Sequence, residues 1–299
     1  MLMKNSHPNY FLSPTKTIAY LKKYQFHPQK KLGQNFLIDN NINAIIVDSL
    51  NLKKEEAILE IGTGLGALTL ALIPAVRHVF SIEKDTRLKV ILDDIFSPYQ
   101  DCITVIYQDI LTFDLPGFLR QKKQEGYYIE KVVGNLPYVI SLPLLRKILE
   151  MHTILKMAVV MVQKEVAERM LAKPGDKNYG LLSVIANYYT QVEKIHLVKP
   201  EVFLPRPEVD SLLIRIQFLN KPAIEVEDEV LFFNLIHAIF QHRRKSINNA
   251  LKLYFGDYLE KDKLEKVLAE SGIKLTQRGE NFGLEELAQL TVTLKSILK

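Results

Sequence analysis

Three short stretches in the first half of the chain hold residue types that could do chemistry together. The run Ile58-Leu-Glu-Ile-Gly-Thr-Gly-Leu-Gly-Ala-Leu-Thr69 reads as a buried strand, a glycine turn and a helix start. Gly62 and Gly64 lack the side chains that would hold a ligand away from the bare amides at that helix start. Glu83 follows about twenty residues later, the spacing at which an acid accepts both hydroxyls of a ribose. Asp109 lies just past the next strand pattern, where a carboxylate could accept from a ring amine. The third stretch, Gly134-Asn135-Leu136-Pro137-Tyr138, carries the reaction. An adenine amine is a poor nucleophile because its lone pair is delocalised into the ring. The Asn135 side-chain carbonyl and a backbone carbonyl, each accepting one amine hydrogen, would localise that lone pair. Tyr138 could stack on the base and favour the positive charge that develops, and Pro137 fixes the backbone between acceptor and ring.

The glycine turn alone leaves its ligand open. Gly62, Gly64 and Ala67 fit the dinucleotide fingerprint G-x-G-x-x-G/A. Glu60 with Gly62, Gly64 and Gly66 fits the E-x-G-x-G-x-G pattern of S-adenosyl-L-methionine (SAM) methyltransferases. A ligand-free tight turn would use the same glycines. Asn135 to Tyr138 separates these readings, since a nicotinamide enzyme has no use for an amine-orienting pair and a methyltransferase does. A sulfonium methyl donor already carries a good leaving group, so the scheme asks for no catalytic acid, base or metal. Positioning then supplies most of the acceleration, roughly 7–11 kcal/mol for a well-held pair.

These residues must sit at the ends of strands. β-type runs at Ala57–Gly62, His78–Glu83, Cys102–Gln108, Glu130–Asn135, Met157–Gln163, Val192–Lys199 and Ser211–Phe218 alternate with helical spacing at Leu65–Ile73, Arg87–Phe96, Leu142–His152, Lys164–Leu171 and Tyr179–Tyr189. That alternation predicts an α/β protein with a mainly parallel sheet, and ligands of such sheets lie beyond the strands' carboxyl ends. Only a Pro-rich loop, Pro200 to Pro207, joins the last two strands, too short for a parallel crossover, so the final strand is expected to be antiparallel. After residue 220 the pattern turns helical at Val230–Gln241, Arg244–Tyr254, Lys261–Glu270 and Leu284–Leu298. Three regions are expected: a basic arm over 1–29, a catalytic domain over 30–220 and a small helical domain over 221–299.

Of the 299 residues, 47% are hydrophobic and 24% charged, enough for a full core. The longest apolar run, Met157 to Val162, cannot span a bilayer, and no signal-peptide block precedes it, so cytoplasm is expected and no membrane partner. Cys102 stands alone and reads as a small buried residue. The net charge of +5 is uneven: Lys4, Lys16, Lys22, Lys23, Lys30 and Lys31 fall within residues 1–33 with no acid. With Tyr10, Phe11, Tyr20, Tyr24 and Phe26 interleaved, this arm suits a polyanion such as RNA, or else is a solvated tail, especially over its first dozen residues.

On these motifs the chain resembles the ribosomal RNA adenine dimethyltransferase family, and the likeness extends over most of its length. The resemblance implies a Rossmann-like SAM-dependent sheet, SAM as cofactor, and two methyls placed on the 6-amino group of adenine. Lys31-Leu-Gly-Gln-Asn-Phe-Leu37 resembles the family's opening motif and implies that Asn35 and Leu37 contact the cofactor. Gly62, Gly64, Glu83, Asp109 and Asn135 match the family's remaining cofactor positions. Asn135, Leu136 and Tyr138 match its target-base motif. Phe203-Leu-Pro-Arg-Pro-Glu-Val-Asp-Ser211 resembles the family's F-x-P-x-P-x-V-x-S loop, which makes Phe203 a second aromatic on the base; by itself Phe203 reads as core or loop packing. Phe240 to Asn249 and Arg278-Gly-Glu-Asn-Phe282 resemble the branch that modifies two adjacent adenosines near the 3′ end of small-subunit (16S) rRNA. The alternatives are the large-subunit resistance branch and a non-catalytic RNA-binding assembly factor. Arg243, Arg244 and Lys245 fit either a phosphate contact or a solvated helix end. The implied partner is small-subunit rRNA in an assembling particle, met by a monomer. One departure stands out: where the family continues Asn-Leu-Pro-Tyr with a further Asn, this chain has Val139.

Overall fold

A computed structural model describes residues 12–242, 245–256 and 261–298. The expectations for Lys4, Tyr10, Phe11, Arg243 and Arg244 fall outside the described residues. In chain order the elements are α1 (Pro14–Lys23), β1 (Phe36–Leu37), α2 (Asn40–Ser49), β2 (Ala57–Ile61), α3 (Ala67–Leu72), β3 (His78–Glu83), α4 (Lys89–Phe96) and β4 (Ile103–Tyr107). There follow α5 (Leu115–Gln124), β5 (Ile129–Asn135), α6 (Ser141–Leu149), β6 (Met157–Gln163), α7 (Lys164–Leu171), α8 (Leu181–Tyr189), β7 (Thr190–Val198), β8 (Phe203–Leu204) and β9 (Ser211–Phe218). Four further helices close the chain: α9 (Glu229–Gln241), α10 (Ile247–Phe255), α11 (Lys261–Glu270) and α12 (Leu284–Leu298). Among the described residues no helix is long and apolar enough to cross a membrane.

The uninterrupted apolar runs become the centre of a seven-stranded sheet ordered β4-β3-β2-β5-β6-β9-β7. Every residue of β2 and β3 is buried, as strands covered on both faces require. β4, β3, β2, β5 and β6 run parallel, so their carboxyl ends share one edge. The order reverses between β2 and β5, which opens a crevice there. β9 runs antiparallel to β6 with Ser211 opposite Gln163, as the short Pro-rich connection predicts. That reversal returns the start of β9 to the same edge. A separate two-stranded pairing, Phe36 with Leu204 and Leu37 with Phe203, joins two segments distant in sequence.

The chain divides into two compact units, one of residues 1–167 with 193–218 and one of 168–192 with 219–299. This division differs from the sequence-drawn one in giving α8 to the second unit. The reason is packing: Val184 and Tyr188 of α8 share a core with Phe232, Leu235, Ile236 and Ile239, the inward stripe of α9. Leu264, Val267 and Leu268 of α11 and Leu287, Leu290 and Leu294 of α12 complete that core. The Arg278-Gly-Glu-Asn-Phe282 segment is built into it as well. Phe282 is buried, and its carbonyl accepts from the Tyr179 hydroxyl at 3.0 Å.

Candidate active site

The parallel edge fixes what meets what. The glycine turn leaves β2, Glu83 ends β3, Gln108 and Asp109 follow β4, and Asn135 ends β5. Together with Lys31 to Leu37 and Leu136 to Ile140 they line one cleft of about 1150 Å³, part of it open to solvent. A concave wall that joins a bare glycine turn to a few polar groups is the usual form of a small-ligand site.

At the turn, Gly62, Gly64 and Gly66 all take positive φ, at 84°, 54° and 79°. A Cβ on Gly66 would stand 2.5 Å from Cζ of Phe96, so this corner admits no side chain. Glu60 is fully buried behind the turn and is not among the residues lining the cleft. Its Oε2 accepts from Thr69 Oγ1 at 2.6 Å and from Ser81 Oγ at 2.8 Å, linking α3 to β3, while Oε1 has no partner. Burial pushes its pKa up to about 7, against the opposing pull of the two hydroxyl donors. The acid of the E-x-G-x-G-x-G pattern therefore braces the turn from behind.

Glu83 does face the cleft. Its Oε2 accepts from the Gly64 amide at 2.9 Å and its Oε1 from the Asp85 amide at 2.8 Å. Burial raises its pKa, with those backbone donors opposing. The carboxylate is thus aimed by backbone before any ligand arrives, beside a turn bare of side chains, and this fits a ribose. Asp109 is more engaged than its sequence position implied. Oδ1 accepts from the Leu111 amide at 3.0 Å, and Lys84 Nζ lies 2.7 Å from Oδ2. The Lys84 hydrogen bond holds this carboxyl below its ordinary range. Lys84, itself a cleft residue 53% exposed, shares Asp109 with any incoming amine.

Asn135 is oriented by a partner a hundred residues away in sequence. Its Nδ2 donates to the backbone carbonyl of Asn35 at 2.9 Å. That bond assigns the amide: the donor end is spent on Asn35, and Oδ1 is the end left to accept. Leu136 is buried and its N–H donates to the Met161 carbonyl at 3.0 Å, anchoring the loop to β6. The Tyr138 hydroxyl meets Ser211 Oγ at 2.5 Å, and burial raises the phenol's pKa while Ser211 opposes. Val139, at the place of the family's second Asn, is 65% exposed and offers no polar group.

Asn35, Leu37, Gly62, Gly64, Glu83, Asp109, Asn135, Leu136 and Tyr138 are thus brought together on one cleft. Phe203 is not. It is 3% exposed in the hydrophobic core, paired in β8 with Leu37, and absent from the cleft wall. Burying such a ring is worth about 1.5–3 kcal/mol, which a swing to the cleft would forfeit. Four positioning residues escape sequence reasoning. Ser211 tethers Tyr138 and Lys84 tethers Asp109. Gln34 donates to Asp85 Oδ2 at 2.7 Å, and Arg87 grips the same carboxylate through Nε at 2.8 Å. The Gln34 contact fastens the Lys31–Leu37 segment to the loop after β3. Two of the four carried a sequence signal, Gln34 within the Lys31–Leu37 motif and Ser211 as the last residue of the Phe203–Ser211 motif.

A model of the family described as ribosomal RNA adenine dimethylase matches residues 25–290. The chain is similar to ribosomal RNA small subunit methyltransferase A of Shouchella clausii, at 43% identity over 96% of each chain. It is likewise similar to the protein of that name from Bacillus thuringiensis, at 42% identity over 94% of this chain and 96% of that one. Among solved structures it shares its fold with a dimethyladenosine transferase from Plasmodium falciparum, at 24% identity, 88% and 98% coverage and a TM-score of 0.74. It also resembles the 23S rRNA methyltransferase ErmE, at 25% identity, 87% and 100% coverage and a TM-score of 0.64.

Proposed function

Because the chain belongs to the ribosomal RNA adenine dimethylase family, we propose that it transfers methyl groups from SAM to the 6-amino group of adenosine in small-subunit rRNA, two to each of two neighbouring residues near the 3′ end. The observation that carries the chemistry is the Asn135 amide, whose donor end is held by the Asn35 carbonyl so that its acceptor end is left for the amine. Relatives of 42–43% identity named for the small subunit favour that substrate over the large-subunit one suggested by ErmE at 25%.

Asn35, Leu37, Gly62, Gly64, Glu83 and Asp109 are the residues that would hold the cofactor. When bound, SAM supplies an electrophilic methyl on a sulfonium with a good leaving group. Glu83 would accept hydrogen bonds from ribose hydroxyls, and Asp109, shared with Lys84, would accept one from the cofactor's adenine amine. Asn135 Oδ1 and the Leu136 carbonyl accept the two hydrogens of the target amine, which localises its lone pair. Tyr138, fixed by Ser211, stacks on the target base and screens the developing charge. The methylated nitrogen is acidic, so its proton leaves to water without a dedicated base. Phe203 would join Tyr138 on the base only by leaving the core.

The target adenine has to be unstacked to reach this cleft, which supports action on an incompletely assembled particle. We place the chain in the cytoplasm, as a monomer. Two measurements test the reading. S-adenosylhomocysteine should raise the melting temperature and a nicotinamide dinucleotide should not. Tyr138→Ala should lower turnover on its RNA substrate; near-normal turnover would remove the stacking role.

A further inference from the structure

The basic segment before the cleft carries lysines to which the transfer scheme gives no task. Between Leu12 and Gly33 the sequence holds Lys16, Lys22, Lys23, Lys30 and Lys31 and no acid. From Leu12 on this segment is a docked element. Ser13 caps α1, its hydroxyl accepting from the Lys16 amide at 3.2 Å. Thr17 is buried, and Tyr20, Leu21 and Tyr24 pack on the core of the first unit. Lys23 Nζ and the Tyr24 hydroxyl both bind Asp94 Oδ2, at 2.6 and 2.8 Å. Phe26 is buried under the Arg87 guanidinium, 4.7 Å from the ring centroid. The segment is therefore pinned along its length, from α4 to the cleft, where Lys31 is a wall residue.

Some lysines elsewhere in the same unit are neutralised locally. Lys84, Lys89, Lys122, Lys131, Lys156 and Lys199 each have an acidic partner. Lys16, Lys22, Lys30 and Lys31 are exposed and have no acidic partner among the described residues. Like charges held on an immobilised segment repel one another, a cost that an anionic ligand would remove. Compact ammonium groups without a planar fork suit phosphate as point charges and read no base.

We propose that Lys16, Lys22, Lys30 and Lys31 form a phosphate-binding strip that holds the backbone of the RNA strand leading its target base into the cleft. The proposal rests on the methyltransferase reading above and adds to it where the substrate strand runs. It also gives the docked part of the basic arm a task.

The test uses the full chain with Lys16, Lys22 and Lys30 all changed to Gln, leaving the cleft residue Lys31 in place. A control carries Lys53, Lys123 and Lys194, exposed lysines elsewhere on the same unit, changed to Gln, so that net charge falls equally. Three lost phosphate contacts take about 2 off the slope of log affinity against log salt, and on the order of 50-fold off affinity near 0.15 M salt. The strip variant should show that rise in KM for small-subunit particles with kcat and S-adenosylhomocysteine binding unchanged. The control should move several-fold less, and Lys→Arg at the three strip positions should restore KM. Equal KM and salt slope in strip variant, control and wild type would overturn the strip. Equal losses in strip variant and control would overturn it too, by assigning the effect to net charge. A wild-type chain that methylates no rRNA would instead overturn the underlying reading.

Discussion

Replacing Glu60 by Gln should abolish a pH dependence of stability that the first unit owes to this one carboxyl. The group is fully buried, with a folded pKa of about 7 against an ordinary value of 4.5. A carboxyl whose pKa rises on folding stabilises through the proton it keeps. Its contribution is fully present below about pH 4.5 and is lost as pH climbs through about 7. A shift of this size corresponds to about 3 kcal/mol, of which about 2 to 3 kcal/mol disappears between pH 5 and pH 8. Gln cannot titrate, but it puts an NH₂ where Oε1 has no partner, and an unsatisfied buried donor costs about 1–3 kcal/mol. Wild type should therefore be the more stable protein near pH 5, and the two curves should converge or cross toward pH 8. Urea unfolding followed by far-UV circular dichroism at half-unit pH steps gives both curves, and their difference cancels every other titrating group. A difference independent of pH, or one that favours wild type increasingly as pH rises, would refute the assignment of a buried, protonated brace behind the glycine turn.

Other consequences concern the cleft directly. Asn135→Ala should lower kcat by about 10²–10³-fold, the usual cost of one preorganised group at a site of developing charge; a loss under threefold in steady-state assays would remove Asn135 from the transfer. Ser211→Ala frees the Tyr138 hydroxyl and should cost about 1 kcal/mol of stability. It should also slow turnover without changing S-adenosylhomocysteine binding by calorimetry; unchanged turnover would show that Tyr138 needs no tether. Lys84→Met releases Asp109 from a half-exposed ion pair worth about 0.2–1 kcal/mol, so affinity for S-adenosylhomocysteine should rise by up to about fivefold; weaker binding would mean that Lys84 assists the ligand.

The parts of this site legible in the sequence are those encoded locally. A glycine turn, an acid at a strand end and an Asn-Leu-Pro-Tyr run each announce themselves within a few residues, and parallel topology alone then puts their strand ends on one edge. The antiparallel last strand was legible for a similar reason, because a short Pro-rich link cannot make a crossover. What the sequence hid lies in pairs far apart along the chain: Asn35 with Asn135, Tyr138 with Ser211, Phe36–Leu37 with Phe203–Leu204. Two-residue strands carry no periodicity to detect. α1, α2 and α5 are 10 residues each and were not separated from their surroundings. α1 bears three lysines against two packed apolar residues, Tyr20 and Leu21, so its docked face shows only against α4. Glu60 and Glu83 looked alike as acids near a glycine turn. Both are buried, but only Glu83 lines the cleft, while Glu60 braces the turn from behind. Phe203 matched a motif position, yet β8 pairing draws its ring into the core.

The most direct measurement offers labelled methyl donor and the wild-type chain to unmethylated small-subunit particles and, separately, to large-subunit rRNA, and identifies the labelled nucleoside by mass. N6,N6-dimethyladenosine is expected at two neighbouring positions of the small-subunit rRNA and none in the large. Label confined to the large-subunit rRNA, or no dimethyladenosine in either, would contradict it.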